Sequence, residues 1–301
     1  MLATILFACQ SLTIVSGSSV VVFDLTYGIG GLSIPSVTKN RLNIATRSQW
    51  TITEPSHELQ LIDADDKLVI VPLTHSFGAS RISDSVEFMS ITPGSSFAAR
   101  FGNAMLLPPS KDHRHFRLMA GLTDPASQCN KGMMYYADMP ADKIKLNIQV
   151  SLIPSKGKKT FVTRGGAKIE ETHSERERFD ICTIGKDSWI PFEIYNLWQN
   201  ELLAIAGVPN RVALLMINWS SFIDKLPSIQ YSVYRSDDSE DIVARIILRP
   251  RDFIKVSSLG ADVMLYSNPY SKSYTLGLSV LKHIGVFFDY DHYRIGLCYP
   301  I

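Results

Sequence analysis

Short apolar runs punctuated by Gly, Pro, Ser and Asp dominate this chain. Residues 20–23, 68–71, 144–152, 212–217 and 286–288 are such runs, rich in β-branched or aromatic types. Brief apolar runs bounded by turn formers predict buried strands. Helical spacing is scarce. Residues 194–205, with Leu197, Leu202 and Leu203, predict one helix, and 276–284 predict a short second. The polar stretch 154–178 holds Lys156-Gly157-Lys158-Lys159 and Glu175-Arg176-Glu177-Arg178. It predicts a solvated linker or hairpin excursion rather than a binding patch.

The order of these signals occurs twice. Val20-Val21-Val22-Phe23-Asp24 is followed by Leu32-Ser33-Ile34-Pro35-Ser36 and, later, by Leu118-Met119-Ala120-Gly121-Leu122. Ala213-Leu214-Leu215-Met216-Ile217 is followed by Ser220-Ser221-Phe222-Ile223, Leu226-Pro227-Ser228 and Tyr274-Thr275-Leu276-Gly277-Leu278. Two halves with one order of signals predict two similar lobes, and 301 residues suit two cores better than one.

Composition narrows the function classes. Thirty basic against 29 acidic side chains give a net charge of +1, so no bulk positive field draws nucleic acid. Apolar residues make up 46 % of the chain, which excludes the composition of a disordered protein. No run reaches the roughly 20 apolar residues of a membrane span. The closest, residues 2–15, is broken by Gln10, Ser11 and Thr13 and has no Lys or Arg before it. It fits a first β-hairpin better than a signal peptide cleaved near Ser16-Gly17-Ser18, though both remain open.

Candidate chemistry is thin. Cys9, Cys129, Cys182 and Cys298 form no C-x-x-C pair, so no zinc cage is expected. Three pairings are possible, and one disulfide or four free thiols both fit. His113 and His115 alternate like residues on one strand face, yet no third ligand accompanies them. Gly28-x-Gly30-Gly31 lacks the Lys-Ser/Thr ending of a phosphate loop. His75 and Ser76 are adjacent, and adjacent strand residues face opposite ways. Asp237-Asp238 and Glu240-Asp241 predict an exposed turn rather than a calcium loop. No metal or other cofactor is expected. The sole Asn-x-Ser/Thr triplet, Asn218-Trp219-Ser220, follows an apolar run and is expected to be buried and unmodified.

Several motifs in order resemble the pepsin-like aspartic peptidases. Tyr274-Thr275-Leu276-Gly277, Val280-Leu281, Val286-Phe287-Phe288-Asp289 and Arg294-Ile295-Gly296-Leu297 resemble that family's closing segments. Val21-Val22-Phe23-Asp24 and Leu32-x-Ile34-Pro35-Ser36 resemble the strand, the first catalytic aspartate and the tail after it. His75-Ser76-Phe77-Gly78 and Ser83-Asp84-Ser85-Val86 resemble the two strands of the flap, and Met119-Ala120-Gly121-Leu122-Thr123-Asp124-Pro125 the segment that closes the first half. The resemblance runs from about residue 4 to the C-terminus and is weakest across 130–180. It implies a mainly β, bilobal pepsin-type fold of two similar antiparallel lobes, residues 1–140 and 141–301, around an interlobe cleft. It also implies a monomer in the secretory pathway or outside the cell.

The family's reaction needs two facing Asp-Thr/Ser-Gly loops, because two close carboxylates share one proton and act as acid and base together. Here the first loop is Asp24-Leu25-Thr26. If Ser220-Ser221 matches the family's following residues, the second loop is Ile217-Asn218-Trp219. Ile217 then stands where the second aspartate belongs, and the largest side chain replaces the required glycine. The flap tyrosine becomes Phe77, the flap tip is short, and the Trp of the first tail is Ser33. Losing a general base alone costs on the order of 10²–10⁴ in rate.

The resemblance therefore implies a homologue that has lost proteolysis and binds an extended peptide or protein partner along Thr26, Tyr27, Phe77, Gly78, Trp219, Ser220 and Ser221. Asp24 is expected as the vestigial first aspartate, capping a turn or holding nearby amides. The alternatives are a divergent active endopeptidase using Asp24 with another carboxylate, such as Asp224 seven positions after Ile217, and an unrelated β-sandwich or capsid-like structural protein with a single compact domain.

Overall fold

A computed structural model describes residues 20–28, 31–33, 40–43, 55–62, 68–76, 86–90, 93–94, 96–110, 115–141, 144–155, 161–162, 168–169, 172–182, 187–209, 218–257 and 260–301. The fold is mainly β with antiparallel sheets. Its chain divides into two compact units, where an unrelated sandwich predicts one. The first comprises Met1–Lys145, Ile181–Gly185 and Leu281–Ile301; the second comprises Leu146–Asp180 and Lys186–Val280.

The first unit opens with β1 (Val21–Gly28), β2 (Gly31–Ser33), β3 (Asn40–Asn43), β4 (Pro55–Ile62), β5 (Leu68–Ser76) and β6 (Val86–Ser90). Helix α1 (Ser96–Phe101), then β7 (Asn103–Leu107), β8 (Phe116–Ala120) and β9 (Tyr135–Asp138) follow. The second unit holds β10 (Lys145–Ile153), β11 (Phe161–Val162), β12 (Lys168–Ile169), β13 (His173–Ile181), β14 (Ser188–Trp189) and helix α2 (Phe192–Ala206). It continues through β15 (Ser228–Tyr234), β16 (Ile242–Leu248), α3 (Pro250–Phe253), β17 (Ile254–Ser257), β18 (Gly260–Val263), β19 (Leu265–Tyr266), β20 (Tyr274–Leu276) and α4 (Leu278–Leu281). The chain ends in the hairpin β21 (Gly285–Asp289) and β22 (Arg294–Cys298).

Eleven strands of the first unit form one sheet in the order β4-β5-β6-β3-β2-β1-β8-β7-β21-β22-β9. Chain order alone would leave Leu281–Ile301 with the second half. Pairing decides otherwise, because β21 lies against β7 with Val286 opposite Leu106 and Phe288 opposite Ala104. Backbone amides in a strand need partners, and β7 and β22 supply them on both sides of β21. All five β21 residues are buried, as expected of a continuous apolar run. Val20, Val22, Met105, Leu107, Met119, Leu122, Phe287 and the sulfurs of Cys129 and Cys298 form one core cluster. Cys129 and Cys298 are disulfide-bonded, while Cys182 is a free thiol. Cys9 lies outside the described residues.

Seven strands of the second unit run β16-β15-β10-β13-β20-β14-β19. Along β10 burial alternates, with Leu146, Ile148, Val150 and Leu152 inside, the period-two signature of a one-sided sheet. Helix α2 buries Ile194, Trp198 and Leu202, spaced four apart on one stripe, with the Trp198 ring 5.6 Å from that of Phe253. It ends at Gly207, whose φ of 68° suits glycine, with Gly207 N–H donating to Ala204 O and Val208 N–H to Leu203 O. The expected second helix shortens to α4, because β20 takes Tyr274–Leu276. The apolar run 212–217 lies outside the described residues.

The charged stretch Glu175-Arg176-Glu177-Arg178 corrects the sequence expectation. Within 154–178, β11 and β12 pair antiparallel as a hairpin excursion does, but the charged stretch is part of the interior strand β13, not a linker. Ser174 and Phe179–Ile181 are buried along it, while Arg176 and Arg178 between them meet the acidic turn that joins β15 to β16. Arg176 pairs with Glu240 and stacks 4.0 Å from the Tyr234 ring centroid, and Arg178 pairs with Asp237. The Glu240 carboxyl is held below its usual range, chiefly by its hydrogen bond from Arg176. A run of alternating charges thus finds its counter-ions about 60 residues away, which no local pattern announces.

Candidate functional site

The candidate residues fall in two places, one in each unit. In the first, Asp24 sits inside β1, with its Cα opposite Arg117 of β8. Beyond it Thr26 is opposite Ser33, Tyr27 opposite Leu32 and Gly28 opposite Gly31, so β1 and β2 form a hairpin. The strand therefore continues four residues past Asp24. Asp24 is a ladder residue of β1. Leu25, its neighbour, is fully buried. Phe77 and Gly78 lie outside the described residues, as does Ile217.

In the second unit, Asn218 opens two consecutive 3-10 turns, Trp219–Ser221 and Ile223–Lys225. The local chemistry dictates this. Asn is a favoured N-cap because its short side-chain oxygen reaches the next free amides. Here Asn218 Oδ1 accepts from Ser220 N–H at 3.2 Å, and Ser221 Oγ donates to Asn218 O at 2.7 Å. Trp219 is buried with its ring 5.3 Å from that of Phe222, and Ile223 and Leu226 are buried behind it. Trp219 is thus an anchor under the turn, while Asn218, Ser220 and Ser221 face solvent. This overturns the expectation that Asn218-Trp219-Ser220 is buried. The apolar run before it says nothing about the turn, where only the middle residue points inward.

Asp224 is committed elsewhere. Arg251 Nε and Nη2, from α3, donate to its two oxygens at 2.6 and 2.7 Å. This two-point grip holds the exposed Asp224 carboxyl below its ordinary range, with the hydrogen bonds from Arg251 as the main cause. A carboxylate so held is a poor proton donor at mildly acidic pH. We expect Asp224 to titrate below a free aspartate in carbon-detected NMR, and Arg251→Ala to return it upward. A folded-state pKa below the unfolded one gives stability that is present above the unfolded value and is lost as pH falls through the folded value. An unchanged Asp224 titration in Arg251→Ala would show that the ion pair does not form in solution.

Sequence reasoning missed Arg251 because its partner lies 27 positions away. It also missed the exposure of Asn218, for which Asn with serines two and three positions on was a usable signal of an N-cap. His115 is exposed, and His113 lies outside the described residues. Among the described residues, no helix is long and apolar enough to cross a membrane. No protein family matches this chain, and a search of curated proteins finds no match to it.

Proposed function

We propose that this protein is a lapsed relative of the pepsin-like aspartic peptidases that acts by binding an extended peptide or protein segment. The single observation that carries the reading is the triplet Ile217-Asn218-Trp219 standing where a second Asp-Thr/Ser-Gly loop belongs. Hydrocarbon at position 217 neither takes nor gives a proton, so that position cannot share one with Asp24. The carboxylate nearest in sequence, Asp224, is engaged by Arg251 and is no ready substitute. Support for the ancestry comes from the order of the motifs and from a mainly antiparallel β chain in two compact units. The bilobal arrangement around a peptide cleft is part of the proposal.

In this reading a peptide lies extended and exchanges main-chain hydrogen bonds with the protein, as an added strand does. The residues proposed to contact it are Thr26, Tyr27, Phe77, Gly78, Ser220 and Ser221. Trp219, buried against Phe222, anchors the turn that carries the two serines.

The test is cleavage of a denatured protein across acidic pH by the full chain and by Asp24→Asn. We expect no cleavage above background in either. Acid-optimum cleavage that a statine-type inhibitor blocks and Asp24→Asn abolishes would establish the alternative, an active endopeptidase. Binding is read on an array of extended peptides, where Ser221→Arg should weaken capture.

A further inference from the structure

We propose that Asn218 is an acceptor for N-linked glycan, displayed on the exposed 3-10 turn of the second unit. Asn218-Trp219-Ser220 is the sole such triplet in the chain, and its middle residue is not the proline that would forbid it. Both reacting positions are accessible, because Asn218 and Ser220 are exposed while the intervening Trp219 is buried. The Asn218 amide is also divided in a useful way. Its Oδ1 is occupied by Ser220 N–H, whereas Nδ2, the atom that would carry the sugar, has no hydrogen-bond partner among the described residues. A bulky polar glycan on Nδ2 therefore displaces no protein contact and stays in water.

A second, independent observation comes from the first unit. The Cys129–Cys298 disulfide belongs to a protein that matures in an oxidising compartment, and N-glycan transfer to secreted chains takes place on that same route. The transfer itself is balanced. Nδ2 attacks the anomeric carbon of a lipid-pyrophosphate-linked oligosaccharide, forming the N–C bond. The carbon–oxygen bond to the pyrophosphate breaks, the lipid pyrophosphate leaves with its electron pair, and the Nδ2 proton passes to a base. Nothing is oxidised or reduced.

A glycan at Asn218 overlies Ser220 and Ser221, so the modified chain should capture less peptide on an array than Asn218→Gln does.

The experiment expresses the full chain behind a cleavable secretory leader in eukaryotic cells, then treats it with peptide-N-glycosidase. We expect one removable glycan, with Asn218 read as Asp in the released peptide by mass spectrometry. The shift should vanish in Asn218→Gln and in Ser220→Ala. Ser220→Ala matters because the capping donor is the Ser220 backbone amide, so the turn is kept while the acceptor triplet is lost. Disulfide-bonded chain with unmodified Asn218, secreted or retained, overturns the proposal, as does a glycan that survives both substitutions. Neither result depends on whether the protein cleaves peptides.

Discussion

Reducing the Cys129–Cys298 bond should cost the first unit about 5 kcal/mol of stability. The two cysteines are 169 positions apart, and opening a loop of that size frees the unfolded chain by about that amount in the entropic model. The native side should change little, since both sulfurs sit in the core among Met105, Leu107 and Phe287. The bond also clips the chain end to the turns after β8. Asn130 N–H donates to Tyr299 O at 2.7 Å, Ile301 N–H donates to Gln128 O at 3.3 Å, and Cys129 bridges Pro300 in the backbone. Guanidinium unfolding with and without a thiol reductant measures the difference. The double variant Cys129→Ala/Cys298→Ala should behave as the reduced protein does, because alanine leaves no unsatisfied hydroxyl in an apolar core. A loss under about 1 kcal/mol would mean that the unfolded chain is already compact, or that the bond is not formed.

Trp198→Ala should cost the second unit about 3–5 kcal/mol, the usual range for removing a large buried aromatic. Trp198 is 1 % exposed and lies on the inward stripe of α2, with its ring 5.6 Å from Phe253 and 6.4 Å from Tyr195. Its indole Nε1 is buried without a hydrogen-bond partner among the described residues. Burying an unpaired donor is itself unfavourable, so Trp198→Phe removes a liability together with part of the ring. Its cost should be less than half that of Trp198→Ala. Equal costs would show that the indole nitrogen is hydrogen-bonded in solution. Because the chain has two compact units, unfolding is best followed with more than one probe. Tryptophan fluorescence is weighted to the second unit, which holds Trp189, Trp198 and Trp219, three of the four tryptophans of the chain.

The strands were legible where apolar residues are contiguous or alternate. Residues 68–71 mark the start of β5, 144–152 nearly coincide with β10, and 286–288 lie inside β21. Helix α2 was legible from the apolar spacing of residues 194–205. The charged strand β13 was not legible. Its apolar residues cluster at one end, and its arginines are neutralised by a turn far along the chain. At the candidate site the sequence identified which residues are missing from a catalytic pair. It could not show that Asp24 continues a strand, that Arg251 holds Asp224, or that the Asn218 turn faces water.

By itself, the sequence determined a mainly β chain, the absence of an acid at position 217 under the family resemblance, and the presence of one glycan-acceptor triplet. These are matters of residue identity and short-range spacing. Only the tertiary structure chose Cys129 and Cys298 as partners, returned the C-terminal hairpin to the sheet of the first unit, and turned Trp219 inward with Asn218 outward. Each of those outcomes depends on contacts between residues far apart in the chain. Long-range backbone pairing and close packing decide them together, and no local window of sequence contains both partners.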